Sequence, residues 1–339
     1  MPYKNYWTKK KLLFFPIINI QKLSMEKLRI VFMGTPDFAV GILDTILKNN
    51  YTVVGVITAP DKPAGRGQKI NTSAVKDYAL EKGLNILQPT NLKDETFLGE
   101  LKSLDANCQV VVAFRMLPEV VWKMPKLGTF NLHASLLPNY RGAAPINWAI
   151  INGETKTGVT TFFIDDKIDT GAIILSAETP IEPTENVGQL HDRLMVLGSQ
   201  TVVKTLAAIE NGTVQTTLQT DSPEIKTAYK LNRDNCKIDW TKSGEKIFNL
   251  IRGLSPYPVA WCLIQDEGQE WNVKIYEATF EKEVHLFAEG TVLSTKKEMK
   301  IAVSDGFIHI LSIQFPGKKK MTTQELLNGM KFSASAMAL

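Results

Sequence analysis

The 339-residue chain reads as an α/β protein, a doubly wound, mostly parallel sheet followed by a small antiparallel β domain. Three observations predict this. From Leu28 to about Pro180, short apolar runs alternate with helical patterns, as in strand–helix–strand units. Two of the runs, Val53-Val54-Gly55-Val56-Ile57 and Val110-Val111-Val112-Ala113, are apolar on both faces, as strands are when helices cover both sides of a parallel sheet. From about residue 229 onward, strands separated by turn residues replace the alternation.

In order, strands are expected at 28–33, 53–57, 85–88, 109–113, 129–133, 158–164 and 172–178. Helices are expected at 36–49, 72–82, 93–104, 117–123 and 143–152. A longer helix, 186–211, meets a usual stop at Asn211-Gly212. One domain thus spans 25–211. Residues 212–228 mix Thr, Gln, Asp, Ser and Pro and read as a linker. The second domain, 229–333, has a helix at 243–252 and strands at 258–264, 271–279, 289–294, 299–303 and 307–314. Such a run suggests a partly open barrel, closed by a short helix at 322–330. The last seven residues, from Ser333, are expected to fray.

Charge narrows the function classes. The net +4 comes from 39 Lys plus Arg against 35 Asp plus Glu, and five lysines fall within residues 1–24, which have no acid and no Arg. The remainder carries −1, which excludes a DNA-coating protein. Met25 is read as the true start, with residues 1–24 an extension outside the fold. Cys108, Cys236 and Cys262 are far apart, with no C-x-x-C pair, which fits a reducing compartment. The four histidines are also dispersed, so a His-built metal site is not expected.

Four segments could carry chemistry. The first βα turn, Gly34-Thr35-Pro36-Asp37-Phe38, lacks G-x-G-x-x-G, which disfavours NAD or FAD. Residues Ala59 to Ile70 hold Lys62, Arg66 and Lys69 against one acid. A solvated loop and a cationic grip on a polyanion both fit that composition. Asn131 and His133, two apart on a strand, leave the same face at its carboxyl end. Together an amide and an imidazole can donate to a developing oxyanion. Asp165, Asp166 and Asp169 follow between two strands. One of them could orient the His133 ring and stabilise its positive charge, and spacing alone leaves open which.

Asn131-x-His133, Ser135-Leu136-Leu137-Pro138 and Asp169, thirty-six positions after His133, resemble the formyltetrahydrofolate-dependent formyltransferases. The resemblance covers about residues 28–331. It implies a Rossmann-like formyltransferase domain followed by an OB-like barrel. It also implies a catalytic trio of Asn131, His133 and Asp169, with Asp165 and Asp166 outside it. The co-substrate implied is 10-formyltetrahydrofolate, with no metal, and folate contacts fall on Phe114, Met116, Ser135, Leu136, Leu137 and Pro138. One departure is visible at Phe114-Arg115-Met116-Leu117-Pro118, where the family usually has an aromatic residue, Gly and apolar residues.

Further segments are similar to the branch of the family that formylates methionyl-initiator tRNA. They are the Pro60–Lys69 loop, Arg141-Gly142-Ala143-Ala144-Pro145, Ala228-Tyr229-Lys230-Leu231 and Ile238-Asp239-Trp240. That similarity implies tRNA contacts at Lys62, Arg66 and Lys69, and the Lys318-Lys319-Lys320 turn offers Lys318 and Lys319 as well. The partners implied are methionyl-initiator tRNA and folate, with no DNA and no membrane. The form implied is a monomer in a bacterial cytoplasm, with an organelle as second choice. A sugar-nucleotide N-formyltransferase would share the trio but lack the basic loop. A formyltetrahydrofolate hydrolase or a non-catalytic binding protein are the other readings.

Overall fold

The computed structural model describes residues 27–64 and 69–339. The expectations for residues 1–24, for a start at Met25 and for Arg66 lie outside the described residues. The first half of the fold runs β1 (Arg29–Gly34), α1 (Asp37–Lys48), β2 (Thr52–Ile57), β3 (Lys62–Ala64), β4 (Lys69–Asn71), α2 (Ala74–Glu81), β5 (Ile86–Leu87), α3 (Glu95–Ser103), β6 (Cys108–Val112), α4 (Glu119–Trp122), β7 (Thr129–His133), β8 (Arg141–Gly142), α5 (Pro145–Ile151), β9 (Lys156–Phe163), β10 (Ile173–Pro180) and α6 (Val187–Glu210).

Seven of these strands form one sheet, in the order β10-β9-β7-β6-β1-β2-β5. β9 alone runs against the direction of the other six. The alternation within β1 explains the two layers of helices. Ile30 and Phe32 join Ile42, Ile46, Leu194 and Leu206 of α1 and α6 on one face. Val31 and Met33 join Phe97, Leu101 and Val121 of α3 and α4 on the other. Each such buried side chain contributes roughly 1.5–3 kcal/mol relative to exposure. The expected helix at 117–123 is shorter than predicted, because Pro118 takes the N-cap of α4.

The second half runs β11 (Thr227–Ala228), α7 (Gly244–Leu254), β12 (Ala260–Asp266), β13 (Gln269–Lys282), β14 (Val292–Ser294), β15 (Met299–Val303), β16 (Gly306–Gln314), β17 (Met321–Thr322), α8 (Thr323–Leu327) and β18 (Met337–Ala338). An antiparallel sheet, β14-β15-β16-β13-β12-β18, curls around a core that includes Ile247, Ile251 and Leu254 of α7. A bridge from Met337 to Thr291 brings its two edges together, giving a nearly closed barrel. The chain end therefore does not fray as expected. Ala336 and Ala338 are buried in the barrel, where an Ala-rich stretch gave no strand signal. Strand β13 is longer than expected, since bulges around Glu277 break its alternation.

The two halves meet through α5 and α7. Asn147 Nδ2 donates to the Gly253 carbonyl at 2.8 Å. Arg252, itself buried, donates to the Glu185 carbonyl at 3.1 Å. The segment between them is tied down at both ends. Thr217 exchanges backbone hydrogen bonds with Ile173 of β10, and β11 pairs in parallel with β8.

Candidate active site

The strand order of the large sheet reverses between β1 and β6. In open α/β sheets, ligands bind in the crevice beyond the carboxyl ends of the strands at such a point. A cavity of about 640 Å³ opens there. Its wall takes Pro36 and Phe38 after β1, Phe114 and Met116 after β6, Asn131 and His133 of β7, and Asp169.

The chemistry is set by hydrogen bonding. His133 Nε2 donates to the Tyr140 carbonyl at 2.7 Å. The other nitrogen, Nδ1, faces Asp169 Oδ2 at 3.8 Å, and the two side chains are only 8% and 15% exposed. That separation is beyond hydrogen-bond length, so Nδ1 remains available to a ligand while the carboxylate stays beside the ring. Asp169 Oδ2 is held by the Gly142 N–H at 2.9 Å. Gly142 has φ +120°, and a Cβ there would lie 2.5 Å from the Ala228 carbonyl oxygen, so a side chain cannot be added without moving the strand pair. Asn131 Oδ1 is buried with no hydrogen-bond partner among the described residues. A buried acceptor left unpaired costs about 1–3 kcal/mol, so this atom suits a donor brought by a ligand.

The backbone around the cavity is strained. Ala113, Tyr140 and Asp169 have φ of 46°, 63° and 55°, each costing of order 1–3 kcal/mol. Tyr140 is anchored through its hydroxyl, which donates to Glu154 and accepts from Asn152 Nδ2. Burial, then the bond to Glu154, pushes that phenol well above its ordinary value, so it stays a donor. Burial alone would raise the Glu154 carboxyl, but the Lys226 ammonium and the Tyr140 hydroxyl outweigh it and hold it below the usual range.

The geometry separates the three aspartates. Asp165 accepts from the Lys167 N–H and the Thr170 hydroxyl within its own turn, and Asp166 is exposed. Asp169 is the one brought to His133. Of the residues expected to touch folate, Phe114 and Met116 line the cavity. Ser135, Leu136, Leu137 and Pro138 do not: they build the turn beyond β7. There Ser135 Oγ donates to the Asn139 carbonyl, and Thr160 Oγ1 donates to the Ser135 carbonyl, both at 2.7 Å. Arg115, the departure from the family pattern, donates to the carbonyls of Pro89 and Thr90, latching the cavity-lining loop to a neighbour.

The basic residues lie elsewhere. Lys62 is exposed at the start of the β3–β4 hairpin, and Lys69 begins β4. Hydrogen bonds from Gln88 and Lys76 hold the preceding Asp61 below the usual carboxylate range. Lys318 and Lys319 are exposed in the turn between β16 and β17, while Lys320 is paired with Glu277. Cys108 is buried, which pushes its thiol up to about 12. Sequence reasoning missed Tyr140, whose backbone carbonyl accepts from His133 Nε2, and His191, which lines the cavity from α6 and gave no signal beyond being one of four scattered histidines. Among the described residues no group of three His, Cys, Asp or Glu is poised to hold a metal ion.

Residues 28–206 match the family model described as formyl transferase, and 230–331 match that of the formyl transferase C-terminal domain. The chain belongs to the formyl transferase family. This formyl transferase is 72% identical over 312 residues to the methionyl-tRNA formyltransferase of Flavobacterium johnsoniae, covering 92% of this chain and 99% of that protein. Among solved structures, it matches the sugar 3N-formyl transferase WlaRD, determined with dTDP and 5-N-formyl-THF. The TM-score there is 0.61 at 24% identity, covering 87% of this chain and all of that one. HypX from Aquifex aeolicus in complex with tetrahydrofolic acid matches with a TM-score of 0.62 at 17% identity, covering 91% of this chain and 49% of that one. At those identities the structures share the fold.

Proposed function

We propose that this formyl transferase moves the formyl group of 10-formyltetrahydrofolate to the amino group of methionyl-initiator tRNA. The observation that carries the reading is 72% identity, across nearly its full length, to a protein of that name, together with the Asn131–His133–Asp169 cavity. The folate supplies an activated formyl carbon. The residues around it supply charge and position.

Attack by the free methionyl amine forms a carbon–nitrogen bond and turns the formyl oxygen into an oxyanion. Breaking the bond to the folate nitrogen then returns the carbonyl, and the proton lost by the amine ends on that nitrogen. The Asn131 amide has an end for each partner: its N–H donates to the oxyanion and its unpaired Oδ1 accepts from the attacking amine. His133 Nε2 is committed to a carbonyl, so Nδ1 donates only when the ring is doubly protonated. Asp169, with its carboxylate fixed by the Gly142 N–H, stabilises that imidazolium. Phe114 and Met116 are apolar contacts for the folate ring system.

A second cavity of about 530 Å³ shares Ala143, Ala144 and Asn147 with the first and is lined beyond them by Arg233, Tyr257 and Trp261 of the barrel half. The aminoacylated tRNA end reaches the reaction centre by this side in our reading. Lys62, Arg66, Lys69, Lys318 and Lys319 are read as the residues that meet the tRNA backbone phosphates. The relatives are bacterial, and the cytoplasm is the compartment this substrate implies.

The test is an assay of the purified protein with charged initiator tRNA and 10-formyltetrahydrofolate. Formylmethionyl-tRNA is the expected product. Transfer to an aminosugar nucleotide instead, or formate release without tRNA, would replace this reading with one of its two catalytic rivals, and tRNA or folate binding with no product would favour the non-catalytic one.

A further inference from the structure

We propose that Gln219, in the segment joining the two halves, is a positioning residue that sets Asp169 against His133. The proposal rests on the formyl-transfer reading above. The Gln219 amide makes four hydrogen bonds. Its Nε2 donates to the carbonyls of Asp169 at 2.9 Å and Gly171 at 2.8 Å. Its Oε1 accepts from Arg141 Nε at 3.1 Å and Nη2 at 2.8 Å. A primary amide offers two N–H donors and one oxygen with two lone pairs, so these four bonds use all of it.

The partners belong to the two loops that meet at the reaction centre. The Asp169 and Gly171 carbonyls lie on the loop before β10, and Arg141 lies on the strand whose next residue, Gly142, donates to the Asp169 carboxylate. Asp169 holds a left-handed backbone conformation, which aspartate tolerates better than most residues but which still favours an outside support where its position must be fixed. The Gln219 bond to its carbonyl is such a support. Gln219 is itself fixed on both sides, by the Thr217–Ile173 bridge and by the Thr227–Ala228 pairing with Arg141–Gly142. Asp221 takes the remaining Arg141 nitrogen, Nη1, at 2.8 Å. A glutamate at 219 could still accept from Arg141 but has no donor for the two carbonyls; a leucine has neither.

The experiment compares wild type, Gln219→Glu, Gln219→Leu, Asp169→Asn and the Gln219→Glu/Asp169→Asn double variant in full-length protein. Both Gln219 variants should lose about ten- to a hundredfold in kcat, the scale of misplacing a catalytic group by part of an ångström. KM for methionyl-tRNA and for 10-formyltetrahydrofolate should stay near wild type. If Gln219 acts through Asp169, the double variant should be no slower than Asp169→Asn alone, since residues that act as a unit are not additive. Wild-type protein that makes no formylmethionyl-tRNA would overturn the functional reading. Active wild type, with either full kcat in Gln219→Glu or fully additive losses in the double variant, would overturn the role of Gln219. Should Gln219→Leu fail to fold, the near-isosteric Gln219→Glu carries the same comparison.

Discussion

The two halves of the molecule both contain non-glycine residues in left-handed backbone, and use them differently. In the barrel, Glu267 and Gly268 at φ 46° and 78° form the two-residue turn between β12 and β13. Such a turn matches the twist of its flanking strands and is repaid on the spot by the hairpin ladder. In the sheet domain, Asn50 and Asp105 sit in short connections after α1 and before β6, whereas Ala113, Tyr140 and Asp169 lie around the cavity and close no hairpin. Tyr140 and Asp169 are held by long-range bonds, from Tyr140 to Glu154 and from Gln219 to Asp169. Val259 at φ 82° is the barrel's exception, and it lines the second cavity. Strain offset locally marks a turn, whereas strain held from a distance marks a place where geometry matters to chemistry.

That contrast is broken most directly at the proposed reaction centre. His133→Ala should lower kcat by about 10²–10³, the usual cost of one oxyanion donor, and Asp169→Asn by a similar factor. Asp169→Asn should leave the thermal midpoint near wild type, because the amide oxygen can still accept from the Gly142 N–H, whereas His133→Ala also unpairs the buried Tyr140 carbonyl and should cost about 1–3 kcal/mol. Initial rates beside a melting curve check both halves of the statement. Loss of folding in parallel with kcat would make these residues structural.

Much of this site was legible in the sequence. Asn131 and His133 announced themselves because a strand's two-residue period fixes which face they share. Gly142 was visible only as part of a motif, and its reason, the Ala228 carbonyl 2.5 Å from where a Cβ would stand, is tertiary. Ser135 to Pro138 form the turn beyond β7 and not the cavity wall, and a motif marks what is needed without saying whether it serves binding or the turn. The linker was the least legible part. Two-residue strands such as β8 and β11 have no periodicity, and a glutamine among threonines looks like solvent-exposed chain until its four partners are seen.

The barrel supplies the counter-test. Ile264 is fully buried in its core, and Ile264→Val should cost about 0.5–1.5 kcal/mol in urea unfolding while leaving kcat at saturating tRNA unchanged. A fall in kcat with stability intact would show that the barrel core reaches the chemistry. At the surface, Lys318→Ala with Lys319→Ala should leave kcat alone and raise the Kd for tRNA. The slope of log affinity against log salt should shrink by about 0.7–0.9 for each phosphate that is no longer neutralised. An unchanged slope in filter binding would remove this turn from the tRNA interface.

The smallest effect concerns pH and sharpens the same comparison. Glu154 and Glu281 both have carboxyls held below the usual 4.5. In Glu154, burial pushes upward and is outweighed by Lys226 and Tyr140. In Glu281, an exposed pair with His309 does the lowering. A carboxylate whose folded pKa is depressed contributes stability that is present above its unfolded value of about 4.5 and is lost as pH falls through the folded value. Stability should therefore decline as acid is added below about pH 4.5, and Glu154→Gln should remove part of that decline. Glu281→Gln should remove less, because exposed pairs are screened by water and salt. Urea midpoints measured across the acid range decide it. Equal flattening by both substitutions would mean that the Glu154 cluster, for all its connection through Tyr140 to His133, is no more tightly held than a surface ion pair.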